Sequence, residues 1–524
     1  MPSLKTLDLF FERFPKYCLE YSNWPEGQAV AEHLVNSNLG TIEALYVYGL
    51  GAGAPYAQLT SWLEENEARR LIILEDDLGA IKAWLKLPIA LEMLERNQVC
   101  IEAMTKDWQT ALTRLAETHP CPAIDVVMLP SKKKEVYRRW KLHLMRRTTL
   151  ASSLVFDRSQ SHILYQNAVC NAEHLPHSFY AARLEGMCRG KPAIVCGAGP
   201  SLNDAIETLS QCDDKALLIA GGSAVAALSS RGIMPHFGIA VDPNVEEYHR
   251  FCDSKASGMP LLYSLRLHPD VFSMCSGPFG YMRSGIGGAF ELWLDEALGL
   301  TEPLLGSTLS EEAISVTAMS VAWAHFLGCD PIYLAGVDLA YVGGRRYASG
   351  ITHDPTSDGA VLALDRRVRR KNGEGKWVET AIRWVMEAAS LAHFAGHHPN
   401  VRYYNTGLKG AVIENFPHRP LTECLTYPSW PFQANIASMI EQAKLPATAG
   451  AIVQEKLAEL KASLEKTVSY LEVLAGQKSG NRILAEFDLE EELAVQLLFH
   501  DAAKTFSSSK QFWTDYLQMV LKFL

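Results

Sequence analysis

With 524 residues, 48% of them hydrophobic and 21% charged, the chain is too long for one ordinary domain and apolar enough to bury two or three cores. Its formal net charge of -10 lacks the basic footprint that a general nucleic-acid binder needs. The 11 cysteines form no C-x-x-C pair and no zinc-type spacing with histidine, and no apolar run has the length of a membrane span or the pattern of a signal peptide, which points to a cytoplasmic protein with reduced thiols.

Taken in chain order, residues 1 to 40 read as helical. "TIEALYVYGLGAGAPY" then gives a short strand and a turn with Gly49, Gly51 and Gly53. "AQLTSWLEENEA" is an amphipathic helix, and "RRLIILEDD" is a buried strand that ends in Glu75, Asp76 and Asp77. A helix at "LGAIKAWLKLP" and a strand at 123 to 130 complete an alternation that implies a parallel sheet. "SKKKEVYRRWKLHLMRR", 131 to 147, is a basic amphipathic helix. It reads either as a solvated bridge between domains or as a patch for an acidic partner or a membrane surface.

A second α/β unit opens at Lys191, with strands expected at 193 to 197, 216 to 222, 236 to 242, 260 to 264 and 331 to 338. "RRVRRKNGEGKWVET" reads as a hairpin around Asn372 and Gly373. After Pro431 the composition shifts to long Ala, Leu, Glu and Lys patterns, as in "IVQEKLAELKASLEKTVSYLEVLA", a helical region. The expected organisation is α/β: a Rossmann-like domain over 1 to 170, a Rossmann-type α/β domain over 171 to 425, and a helical C-terminal region over 426 to 524.

"KPAIVCGAGPSLND" ends an apolar strand in Gly197, Ala198, Gly199 and Pro200, followed by Ser201. Glycines allow a tight turn and close approach of a ligand. The first amides of the next helix, with the helix dipole, suit a phosphate. The plainer alternative is a tight turn of the kind every α/β fold contains. Asp242, in "GIAVDPN", and Asp338, in "YLAGVDLAY", stand just past apolar strands. In open parallel sheets that is where ligands bind. Either can hold a ribose hydroxyl, a metal ion or a protonated group, or simply form a turn. Ser307, Thr308, Ser315 and Thr317 are hydroxyls near a helix start, fit to cap it or to meet phosphate. His353, in "SGITHDP", is a loop histidine of general-base type or a surface residue. His325 sits in an apolar helix and reads as core. In the first unit Gly49, Gly51, Gly53 and Glu75 have the layout of a second nucleoside site, with Glu75 on the ribose. The alternative there is a Rossmann-like unit that binds nothing.

"VCGAGPSLNDAIETL", "GIMPHFGIAVDPN" and "SVTAMSVAWAHFLGCDPIYLAGVDLAYVGGRRYASG" resemble the central domain of the motility-associated factor (Maf) glycosyltransferases, a group that includes the archaeal MptE-type 6-hydroxymethylpterin diphosphokinases. The resemblance runs through "WVET" and "YYNTGLKGAVIE" and spans about 180 to 415. Val337 stands where the pattern carries Gln, and Tyr347 where it carries His. The resemblance implies a sialyltransferase-like central domain that moves a nonulosonic, sialic-acid-like sugar from a CMP donor to a protein hydroxyl. Carried over by position, Gly197, Gly199, Pro200 and Ser201 form the nucleotide-phosphate turn. Asp242 and Asp338 line the crevice, with Ser315 and Asn405 nearby. His353 or an Asp takes the acceptor proton, and an Asp can recruit Mg²⁺ to phosphates. Two alternatives stay open: a Mg-ATP-dependent pterin-type diphosphokinase, and a scaffold that keeps the fold without the chemistry.

Overall fold

The computed structural model describes residues 2–35, 39–121, 123–159, 161–252, 254–284, 288–302, 304–305, 309, 315–351, 367–499 and 510–523. The chain divides into two compact units, Met1–Asp157 and Arg158–Leu524.

In the first unit four strands, β1 (Ala44–Tyr48), β2 (Arg70–Glu75), β3 (Val99–Ala103) and β4 (Ile124–Met128), form one parallel sheet in the order β3-β2-β1-β4. Side chains alternate across it, as strand geometry requires. Leu45, Val47, Leu71 and Ile73 face a core with Phe10, Trp24, Trp62 and Trp84, whereas Tyr46, Tyr48, Ile72 and Leu74 face another with Leu112, Leu115, Trp140 and Leu144. The expected helix over 1 to 40 is shorter. It runs Leu4–Arg13 and gives way to a 3-10 turn, Pro15–Tyr17, because a proline inside a helix removes a hydrogen bond and clashes with the preceding turn. β3 is absent from the sequence expectation. Its Glu102 breaks the apolar run, yet is buried between Lys16 (2.5 Å) and Arg114 (2.8 Å).

The basic helix, Lys134–Ser159, forms. Its apolar side is used internally: the Trp140 ring lies 4.6 Å from that of Tyr48, Leu144 is fully buried, and Lys141 pairs with Asp125 at 2.9 Å. A membrane surface would need that apolar side free. Among the described residues no helix is long and apolar enough to cross a membrane.

The second unit is built on eight parallel strands: β5 (Phe179–Tyr180), β6 (Ala193–Cys196), β7 (Leu217–Gly221), β8 (Phe237–Ala240), β9 (Leu261–Tyr263), β10 (Phe279–Tyr281), β11 (Ile332–Ala335) and β14 (Tyr403–Asn405). Their order is β14-β11-β6-β7-β8-β9-β10-β5. The chain steps outward from β6 to β10, then returns to place β11 on the other side of β6. This reversal opens a crevice beyond the strand ends of β6 and β11. β12 (Arg367–Lys371) and β13 (Trp377–Ala381) form the expected antiparallel hairpin, with Asn372 Oδ1 accepting the Glu374 and Lys376 amides in its turn.

The expected boundary near residue 170 falls inside the Ser161–Ala172 helix, which belongs to the second unit. Asn171 Nδ2 donates to the carbonyls of Leu265 (2.8 Å) and Leu267 (2.6 Å), and Asn167 Nδ2 to that of Pro243 (3.0 Å). The C-terminal helices form as expected, but not as a separate body. Leu460, Leu464 and Leu471 of Ala449–Leu474, with Leu489 and Trp513, share one core with Ile194, Leu218 and Tyr263.

Candidate functional site

At the switch point, β6 runs into Gly197, Ala198, Gly199, Pro200 and Ser201, then the Leu202–Leu209 helix. The glycines are there for protein atoms. A Cβ on Gly197 would lie 2.6 Å from the Gly336 carbonyl oxygen, and one on Gly199 would lie 2.5 Å from Asp338 Oδ2. Gly336 itself has φ +70°, open to glycine at no steric cost.

The turn amides are engaged. Gly199 N donates to Gly336 O, and Ser201 N donates to Asp338 Oδ2, each at 2.8 Å. The amides of Leu202, Asn203 and Asp204 donate to Gly199, Pro200 and Ser201 carbonyls. The anion at this helix start is therefore the carboxylate of Asp338, which the helix dipole favours. The amides of Gly199 and of Ser201 to Asp204 are therefore not free for the expected phosphate. Burial pushes the Asp338 carboxyl up from its usual range, against the lowering effect of Ser201. Its second oxygen, Oδ1, is buried with no hydrogen-bond partner.

Asp242, just past β8, accepts from Asn244 N (3.0 Å) and Nδ2 (2.8 Å) on Oδ1. Arg250 Nη1 donates to Asp242 Oδ2 (3.3 Å) and Glu247 Oε2 (2.6 Å). Glu247 is completely buried, and its Oε1 has no partner. Burial pushes its carboxyl up to about 7, opposed by Arg250 and reinforced by Asp242.

These groups surround a cavity of about 310 Å³. Gly197, Gly199, Asp242, Asp338 and Ser315 all line it, as the sequence pattern led one to expect. Ser315 is nevertheless a helix cap. Its Oγ accepts from Ala318 N (3.0 Å) at the start of Val316–Phe326 and donates to Glu387 Oε1 (2.8 Å). Pro200 and Ser201 sit behind the wall rather than in it. Asn405 is not brought to the cavity. It lies at the end of β14, beyond β11, where its Oδ1 accepts from Gly407 N at 3.0 Å and it borders a separate 390 Å³ cavity. Ser307, Thr308 and His353 lie outside the described residues.

Sequence reasoning missed the charges that line the cavity, Glu247, Arg250, Arg346 and Glu387, and also Trp384; Tyr347, singled out in place of a His, lines it too. Arg346 stands out among them. Its Nε and Nη1 are buried with no hydrogen-bond partner, and its guanidinium lies 4.9 Å from the Tyr347 ring and 5.8 Å from that of Trp384. A buried cation without an acceptor is costly, so such a group calls for an anion. The signals were present but generic: an i,i+3 Glu-Arg pair one turn after Asp242, and "GGRRY" after the Asp338 strand.

The glycine turn of the first unit differs. A Cβ on Gly51 would meet Glu32 O at 2.7 Å and Leu129 Cδ1 at 2.8 Å, and one on Gly53 would meet Ile89 Cγ2 at 2.9 Å. Glu75 accepts from Leu50 N (2.8 Å) and Asp77 N (2.9 Å) and pairs with Lys132. Its carboxylate is thus already engaged by three protein donors, two of them on Oε1.

The second unit thus has a doubly wound parallel sheet with a charged crevice at its switch point, the layout of a nucleotide-type binding domain. Residues 164–344, about a third of the chain, match the family model described as "6-hydroxymethylpterin diphosphokinase MptE-like". Among solved structures, a Maf glycosyltransferase from Magnetospirillum magneticum AMB-1 is similar at 17% identity, covering 100% of this chain and 79% of that one, with a TM-score of 0.46. No curated protein matches the chain.

Proposed function

We propose that the chain is a glycosyltransferase that moves a nonulosonic sugar from a CMP-activated donor to a protein hydroxyl. The observation that carries this is Arg346, which lines the switch-point cavity and has two buried guanidinium nitrogens with no partner among the described residues, beside two buried carboxyl groups in the same situation, Glu247 and Asp338. Such a donor carries two anions, the phosphate and the sugar carboxylate, and Arg346 supplies the charge that the engaged turn amides cannot. As the bond from the sugar to the phosphate oxygen breaks, its electron pair leaves with CMP, and Arg346 stabilises the charge that develops. The acceptor oxygen bonds to the sugar carbon, and its proton passes to a carboxylate. Glu247 is the candidate for that transfer, since it lines the cavity, its Oε1 has no partner among the described residues and burial pushes its carboxyl up to about 7.

The family match favours a second reading, pyrophosphate transfer from ATP to a pterin-type alcohol. That reaction uses Mg²⁺. Asp242 is already bonded to Asn244 and Arg250, and no group of three His, Cys, Asp or Glu among the described residues is arranged to hold a metal. A metal for that reaction would enter with ATP, bound to its phosphates.

A thermal-shift panel with CMP, CMP-sialic acid, UDP-sugars, S-adenosylmethionine, and ATP with and without Mg²⁺ tests both readings, because a ligand of the folded state raises the melting temperature by mass action. CMP compounds should stabilise the chain, and Arg346→Gln should abolish the shift. Stabilisation by Mg-ATP alone would select the kinase reading. Silence at millimolar ligand would leave a scaffold.

A further inference from the structure

The β12–β13 hairpin presents a charged face that the crevice does not explain. Four of the five residues of β12 are basic. The register pairs Arg367 with Ala381, Arg369 with Glu379 and Lys371 with Trp377, so these side chains share one face. The other face, which carries exposed Arg370, is partly turned inward. Val378 packs on the core, and buried Thr380 donates from Oγ1 to Leu339 O at 2.6 Å.

On the outward face Arg367 is occupied, lying 4.6 Å from the Tyr341 ring and 3.3 Å from Glu379. Arg369 and Lys371 have no carboxylate partner among the described residues. Lys371 lies 5.8 Å from the ring of Trp377, which is 66% exposed. An indole left in water forgoes the favourable burial of its apolar surface. Trp and Arg are also the residues that dominate protein interfaces. On a chain of net charge -10, this island of positive charge is complementary to an acidic partner.

The hairpin also adjoins the crevice. β13 leads directly into the Ile382–His397 helix, whose Trp384 and Glu387 line the cavity. Tyr341 N donates to Glu379 O at 2.8 Å, which ties the hairpin to the segment that follows Asp338.

We propose that the outward face of this hairpin docks an acidic segment of the acceptor polypeptide, with carboxylates on Arg369 and Lys371 and an apolar side chain on Trp377. The identity of the segment as acceptor rests on the transferase reading; the docking surface does not.

Fluorescence anisotropy of the whole chain with a fluorescein-labelled Glu/Tyr copolymer tests it. Binding should weaken as salt is raised across the physiological range. The Arg369→Gln, Lys371→Gln double variant should bind at least about tenfold more weakly, and Trp377→Ala about tenfold more weakly at every salt concentration. The CMP-induced thermal shift should be unchanged in all of them, which also reports that they fold. Copolymer affinity within twofold of wild type in the double variant overturns the proposal. So does a preference of the wild-type chain for polyuridine RNA or phosphatidylglycerol vesicles over the copolymer. If the copolymer binds through these residues while no CMP compound shifts the chain, the docking surface stands and the transferase reading falls. If CMP compounds shift the chain and the copolymer does not bind, the reverse holds.

Discussion

Both units place a glycine turn after a parallel strand and an acid past a neighbouring strand, yet the two turns are surrounded differently. At Gly49, Gly51 and Gly53 the space is taken by Glu32 O, Leu129, Ile89 and Met93, and Lys132 neutralises Glu75. In the second turn the amides of Gly197, Gly199 and Ser201 are occupied as well, by Ala335 O, Gly336 O and Asp338 Oδ2. There, however, the surrounding charges are not all matched. Asp338 Oδ1, Glu247 Oε1 and two nitrogens of Arg346 remain without partners. A glycine turn is thus punctuation common to both units. What marks a ligand site is buried polarity that the protein leaves unsatisfied.

The sharpest way to break this comparison is to unbalance the filled turn. Lys132→Met would strand the buried Glu75 carboxylate. Removing one member of such a pair costs about 3–5 kcal/mol, read as a lower urea midpoint for the first unit. The CMP shift should persist, because that ligand belongs to the other unit. A loss below about 1 kcal/mol would mean that Glu75 is not held by Lys132.

Next come the glycines themselves. Gly199→Ala puts a Cβ 2.5 Å from Asp338 Oδ2 and 2.7 Å from Gly336 O, so Asp338 must move. CMP affinity should fall at least about tenfold, with roughly 1–3 kcal/mol of overpacking cost. Gly51→Ala, at φ +54°, should cost the first unit about 1–2 kcal/mol in backbone strain alone and leave CMP binding untouched. If Gly51→Ala abolished the shift instead, the assignment of the two turns would be reversed.

The sheet was legible because its strands are short Val, Ile and Leu runs that end in Gly or Asp, and five of those runs form the centre of the second unit. Asp242 and Asp338 could be placed for the same reason, since each follows such a run and strand ends converge at a switch point. Sequence could not show that the Ser201 amide is occupied, because its acceptor, Asp338, is 137 residues away. Nor could it exclude Asn405, whose distance from the crevice depends on β14 lying outside β11. Arg346 was hidden by its chemistry: an arginine after two glycines reads as surface until the cavity around it is known.

Two buried groups in the second unit should give opposite pH slopes. The His236 ring accepts the Leu218 amide on Nδ1, and burial pushes its pKa down to about 4. The unfolded chain then takes up the proton first, so this stability is present above pH 6.5 and is lost as pH falls towards about 4. Glu247, held up to about 7, contributes stability that is present below pH 4.5 and is lost as pH rises to about 7. Each amounts to about 3 kcal/mol across its window. His236→Asn, which keeps an acceptor for Leu218 N, should flatten the acid limb of the urea-midpoint profile. Glu247→Gln, which keeps an acceptor for Arg250, should flatten the neutral limb. Unchanged limbs would remove these groups from the pH dependence.

The smallest expected effect separates a cap from a ligand. Ser315 lines the cavity, and its place before a helix allows either role. Its Oγ already accepts from Ala318 N and donates to Glu387. A cap lost to alanine costs about 1 kcal/mol. Glu387, whose carboxyl burial already pushes up against the hydrogen bonds from Ser315 and Thr317, would rise further. Ser315→Ala should therefore lower Tm by a few degrees and leave CMP affinity within twofold. A tenfold loss of CMP affinity at unchanged Tm would instead make the hydroxyl a phosphate ligand. The anion would then be held at two points, Arg346 and the start of the Val316–Phe326 helix, rather than by the arginine alone.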